Sequence, residues 1–120
     1  MVVDSSVWIE ILSEGPLHKK CSAALQRQTI RIPSLVLHEV YKKIRTKASE
    51  DLALSTVASL CANEVLDLNR EIAIRAADLS IQFGISTADS IVLAHAEQLN
   101  DTLLTLDNDF AGLPGAKVIR

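Results

Sequence analysis

Met1-Val2-Val3-Asp4-Ser5-Ser6-Val7-Trp8-Ile9-Glu10 decides the fold of this 120-residue chain. The β-branched pair Val2-Val3 predicts a short buried strand over residues 1–4. Asp4-Ser5-Ser6 is helix-capping chemistry. A helix over 6–14 follows, with Val7, Trp8, Ile11 and Leu12 as its apolar stripe. A strand that turns at once into a helix, with a carboxylate at the junction, is the opening of an α/β unit.

The same alternation continues. Gly15-Pro16 ends the first helix, and Pro16 opens a second over 16–28. Ile30 to Pro33 is a strand closed by proline. Ser34 starts a helix to Ala48, its apolar face made by Val36, Leu37, Val40, Tyr41 and Ile44. A helix over 50–62 carries Leu52, Leu54, Val57, Leu60 and Cys61. Glu64 to Leu68 is a third strand. Asn69 caps a helix over 70–83 that stops at Gly84, and Ser86-Thr87 starts another ending near Asn100. Leu103 to Leu106 is a strand, and Lys117 to Ile119 a last edge strand. Strands separated by helices require crossovers. The expectation is one α/β domain over 1–120, with a short, mainly parallel central sheet between helical layers.

Composition sets limits. Apolar residues are 48% of the chain and charged residues 22%, which is globular rather than disordered. Aromatics are 3%, so the core is aliphatic. No apolar run approaches the roughly 18 residues of a membrane span, and the opening residues lack the basic segment of a signal peptide. A cytoplasmic protein is expected. Cys21 and Cys61 are expected to be reduced, buried small residues. With three scattered histidines they offer no zinc-ligand spacing.

The acids carry the functional signal. Asp4 follows the first strand and Asp107 follows Leu103-Leu104-Thr105-Leu106. In parallel α/β sheets ligands bind at the carboxyl ends of strands, where strand order switches, so both could face one crevice. Either could instead be a helix N-cap. Asp89 falls on the same helical face as Val92, Leu93 and Ala96, which directs a carboxylate inward; a Ser86-x-x-Asp89 capping box is the alternative. Glu39 lies at the edge of an apolar stripe, with Lys42 and Lys43 placed for i,i+3 and i,i+4 pairing. Several carboxylates without Cys or His ligands suit a hard cation, Mg²⁺ or Mn²⁺.

Four blocks then stand in order: Val2-Val3-Asp4-Ser5-Ser6-Val7-Trp8-Ile9-Glu10, Ser34-Leu35-Val36-Leu37-His38-Glu39-Val40, Thr87-Ala88-Asp89-Ser90-Ile91-Val92-Leu93-Ala94-His95-Ala96, and Leu103-Leu104-Thr105-Leu106-Asp107-Asn108-Asp109-Phe110. Together they resemble the signature blocks of a PIN domain, and more narrowly the VapC-type toxin ribonucleases of toxin–antitoxin pairs. The resemblance implies a three-layer PIN-like fold and an Mg²⁺- or Mn²⁺-dependent endoribonuclease. It implies RNA as substrate, a cognate antitoxin and a homodimer. It assigns Asp4, Glu39, Asp89 and Asp107 to the catalytic acidic set, with Asp109 as a further contributor. Ser5, Ser6 and Thr105 match positions whose hydroxyls hold the carboxylates or the water on the metal. A PIN nuclease of RNA processing or DNA repair, and an inactive PIN scaffold, are the alternatives.

Charge fits this reading. Twelve basic and fifteen acidic residues give a net charge of −3. Setting aside Asp4, Glu39, Asp89, Asp107 and Asp109 leaves ten acids against twelve bases, so the remainder is mildly basic. Lys42, Lys43, Arg45 and Lys47 follow Glu39 on one helix and could take RNA phosphates; a solvated helix face is the alternative. Lys19 and Lys20 are a weaker second group. Few aromatics means little base stacking.

Overall fold

The computed structural model describes residues 1–120. Five strands, β1 (Val2–Val3), β2 (Arg31–Pro33), β3 (Glu64–Leu66), β4 (Leu103–Thr105) and β5 (Ala116–Val118), form one sheet in the order β3-β2-β1-β4-β5. Every pairing is parallel, so the sheet is wholly rather than mainly parallel. Six helices connect the strands: α1 (Ser5–Leu12), α2 (His18–Leu25), α3 (Ser34–Lys47), α4 (Glu50–Leu60), α5 (Arg70–Phe83) and α6 (Thr87–Gln98). None is long and apolar enough to cross a membrane.

Side chains alternate across a strand, and this assigns the layers. Val2 and Leu103 are register partners and enter a core with residues of α3, α4, α5 and α6. Val3 and Leu104, the next pair, enter a second core with Val7 of α1 and Cys21 of α2. All four strand residues have no exposed surface. Continuous apolar strands of this kind are expected in a parallel sheet covered on both faces. The result is the expected three-layer arrangement.

Several details depart from the sequence reading. The edge strand begins one residue earlier than expected, at Ala116. The β4–β5 connection contains a 3₁₀ turn over Asn108–Phe110, which the short polar Asp-Asn-Asp run gave no periodicity to reveal. Phe110 at its end is completely buried and anchors the connection to the core. In α4 the buried residues are Ala53, Thr56 and Leu60, whereas Leu52 and Leu54 are 50% and 53% exposed. Small Ala53 and Thr56 let α4 approach its neighbours, and this turns the two leucines outward. Cys61, just beyond α4, is likewise exposed rather than buried; Cys21 is buried as expected, and both thiols are free. Gly84 ends α5 in the left-handed region, at φ 65°, where any side chain is strained.

The topology fixes where a ligand can bind. From β1 the chain moves outward to β2 and β3, then returns to place β4 on the other side of β1. Strand order therefore switches between β1 and β4, and a crevice opens at their carboxyl ends. Asp4 and Asp107 stand there.

Candidate metal centre

Asp4 is 7% exposed and occupies the N-cap position of α1, yet its side chain makes no capping bond. Its Oδ2 instead accepts from Ser6 Oγ at 2.9 Å and from Thr105 Oγ1 at 2.8 Å. Each hydroxyl oxygen also accepts a backbone N–H of the β4 exit: Leu106 N–H reaches Ser6 Oγ at 3.0 Å, and Asp107 N–H reaches Thr105 Oγ1 at 3.0 Å. Two hydroxyls thus lock one oxygen of Asp4 and tie the ends of β1 and β4 together. Oδ1 takes no hydrogen bond from the protein.

Asp89, Asp107 and Asp109 each bring one carboxylate oxygen to within 4.8 Å of the others. Their local supports differ. Ser86 Oγ caps α6 by accepting from Asp89 N–H at 3.2 Å, so backbone rather than carboxylate makes the cap. Asp107 Oδ1 accepts from Asp109 N–H at 2.9 Å, so this residue caps the 3₁₀ turn and joins the cluster as well.

Electrostatics link the cluster to Asp4 and Glu39. Burial, then the charge of Asp4, pushes the Glu39 carboxyl above its ordinary value; a hydrogen bond with Ser5 opposes this, and Asp89 adds to the rise. Burial, then Asp107, likewise raises Asp89; Ser86 opposes, while Asp4 and Asp109 reinforce. Glu39 thus feels Asp4 and Asp89, and Asp89 feels Asp107, Asp4 and Asp109, so Asp4 and Asp89 link Glu39 of α3 to the three-carboxylate cluster. None of the five carboxylates takes part in a salt bridge, and Glu39 pairs with neither Lys42 nor Lys43. Clustered, unpaired, partly buried carboxylates are unfavourable unless protons or cations compensate them. An all-oxygen donor set fits a hard divalent ion such as Mg²⁺ or Mn²⁺ and offers nothing to a thiophilic one.

Beside Glu39 lies a cavity of about 550 Å³, lined among others by Ser5, His38, Lys42, Lys43, Thr46 and Lys47. Three of the four expected basic residues of α3 therefore line the same cavity as Glu39. Arg45 does not line the cavity: its guanidinium meets Glu50 at 3.1 Å and the Tyr41 hydroxyl at 3.2 Å. Lys20 bonds the backbone oxygen of Arg120, and Lys19 is exposed on α2, in the opposite layer from α3. His38 and Thr46 were not singled out from sequence. Their i,i+4 spacing about Lys42 was the available signal.

The model of the PIN domain family matches residues 1–116. No curated protein matches the chain significantly. Among solved structures, a toxin–antitoxin complex from Klebsiella pneumoniae is 24% identical, with a TM-score of 0.83, covering 98% of this chain and 95% of that one. Mycobacterium tuberculosis VapC20, a sarcin–ricin-loop-cleaving toxin, is 15% identical with a TM-score of 0.82, covering 99% and 98%. VapBC2 of Rickettsia felis, bound to a promoter DNA fragment, is 18% identical with a TM-score of 0.75, covering 98% and 96%. At these identities the likeness is one of fold.

Proposed function

The chain belongs to the PIN domain family, and from that premise we propose that it is a divalent-cation-dependent endoribonuclease, the toxin of a toxin–antitoxin pair. The observation that carries the reading is the meeting of Asp89, Asp107 and Asp109 beside Asp4 and Glu39. The toxins among the similar solved structures support it. The proposed partners are an antitoxin protein and a second copy of the chain, and the proposed place of action is the cytoplasm.

The free Oδ1 of Asp4, with Asp89 and Asp107, would hold Mg²⁺ or Mn²⁺; Asp109 and Glu39 would complete the set or serve a second ion. Such ions lower the pKa of water and neutralise charge on a phosphodiester under attack. Ser6 and Thr105 keep Asp4 in one rotamer by binding the oxygen not used as a ligand. Glu39, on the cavity side, orients the attacking water. Lys42, Lys43 and Lys47 hold neighbouring phosphates of the strand. With few aromatics to stack bases, selection rests on backbone shape.

The test is induced expression followed by sequencing of RNA ends, with Asp4→Asn as the control. New ends that depend on Asp4 are expected. An identical set of ends from Asp4→Asn refutes the reading.

A further inference from the structure

The cavity of about 550 Å³ beside Glu39 has wall residues that neither the acids nor the phosphates of a strand account for. Glu39 belongs to the acidic set, and Lys42, Lys43 and Lys47 serve phosphates. Leu35, His38 and Ala88 line the same cavity and have no task in that scheme. Leu35 and His38 stand near the start of α3, at i,i+3 spacing and so on one face of the helix. Ala88 stands in the first turn of α6, next to Asp89. Leu35 and Ala88 are half-buried; His38 is exposed and takes part in no salt bridge.

The wall has an order. Along α3, His38 and Lys47 are separated by about 14 Å at 1.5 Å of rise per residue. The cavity is therefore planar and apolar at the Leu35–His38 end and basic at the Lys47 end. Cations and phosphates are strongly hydrated and gain nothing from an apolar wall. A nucleotide has the matching two-part chemistry, a flat base with apolar faces and an anionic phosphate. The volume lies within the roughly 300–1,000 Å³ of pockets that enclose small organic groups.

Taking the chain as a metal-dependent ribonuclease, we propose that Leu35, His38 and Ala88 form a nucleobase subsite. One base beside the scissile phosphate leaves its stack, lays a face on the His38 imidazole and packs against Leu35 and Ala88. The backbone of the same strand continues to the lysines. Stacking of an unstacked base on a planar side chain, histidine included, is a general way of reading single-stranded RNA. The subsite adjoins Glu39 and Asp89, so the base it holds flanks the bond that is cut. Backbone shape then acts together with one base, and the substrate is single-stranded or looped, because a duplex keeps its bases inside.

The test uses the full chain with Mn²⁺ and a short single-stranded oligoribonucleotide cut at one bond. The same oligoribonucleotide is made with each nucleotide in turn abasic. One abasic position next to the cut bond is expected to lower kcat/KM about tenfold. His38→Ala, which removes the plane, and Ala88→Leu, which fills the subsite, should each erase the difference between the intact and that abasic substrate. His38→Phe should retain it, and Lys42→Ala should weaken all versions alike. Melting curves equal to wild type confirm folding, and His38→Ala, at an exposed position, carries the test if Ala88→Leu disturbs α6. Cleavage indifferent to every abasic position overturns the subsite and leaves the ribonuclease reading intact. A position-specific loss that persists unchanged in His38→Ala and Ala88→Leu places base reading elsewhere and overturns it too. So does a change of self-association in these variants without a change in base sensitivity. If the wild type cuts no RNA, the ribonuclease reading falls and the subsite with it.

Discussion

Asp89→Asn, chosen to disable the proposed metal centre, should make the metal-free protein more stable. The carboxylate oxygens of Asp89, Asp107 and Asp109 lie within 4.8 Å of one another. At that separation two unit charges repel by about 0.9 kcal/mol at the dielectric of water and about 3.5 kcal/mol at an effective value of 20. Asparagine removes Asp89's share of two such pairs. Asp109 is exposed, so the lower figure governs, and roughly 1–2 kcal/mol is the expected gain. The cap of α6 survives, because it uses the backbone N–H of residue 89. For a chain of this length the gain corresponds to a rise in Tm of about 4–8 °C. Asp89 and Glu39 both titrate above their ordinary values in the folded state. Their contribution to stability is therefore complete below the ordinary carboxylate pKa and is lost as pH rises through the raised values. The advantage of Asp89→Asn should accordingly be largest near pH 8 and vanish near pH 4. The assay is thermal melting with chelator or with Mg²⁺ across that range; Mg²⁺ should stabilise the wild type and do little for the variant. If Asp89→Asn melts at or below wild type in chelator at pH 8, the carboxylates are not in mutual repulsion and the reasoning fails.

Ser6→Ala and Thr105→Val each free Asp4 Oδ2 from one hydroxyl; Mn²⁺ affinity by titration calorimetry and RNA cleavage should each fall about 10–100-fold, with little change in melting for Ser6→Ala. Phe110→Ala should cost about 3–5 kcal/mol, read by urea denaturation, because its ring is fully buried. His95 is buried, its Nε2 has no partner, and burial lowers its pKa against the opposing pull of Asp67. Its depressed value means stability is complete above about pH 6.5 and lost as pH falls. His95→Gln should flatten that part of the profile, and an unaltered profile would clear His95 of the role.

Much of this was legible in the sequence because period and position coincide. Val2-Val3 and Leu103-Leu104-Thr105-Leu106 are short apolar runs bounded by turn chemistry, which reads as buried strand, and Asp4 and Asp107 follow them directly. The cap at Ser86 and the stop at Gly84 were equally plain, since each depends on the chemistry of one residue. What could not be read depends on packing between elements. Leu52 and Leu54 look like core in any linear reading, and only the approach of Ala53 and Thr56 to the neighbouring helices turns them out. That Asp4 binds two hydroxyls rather than capping α1 depends on Thr105, about a hundred residues away. The outward turn of Arg45 depends on Glu50, in the next helix.

The hydroxyl clasp between the start of the chain and its fourth strand has a consequence for biosynthesis. Ribosomes make protein from the amino end at about 5–20 residues per second. Asp4 emerges first, but its clamp at Thr105 and its companion Asp107 are made roughly 5–20 s later. Until Thr105 and Asp107 are made, a growing chain has no assembled acidic centre, so the chemistry proposed for it cannot begin.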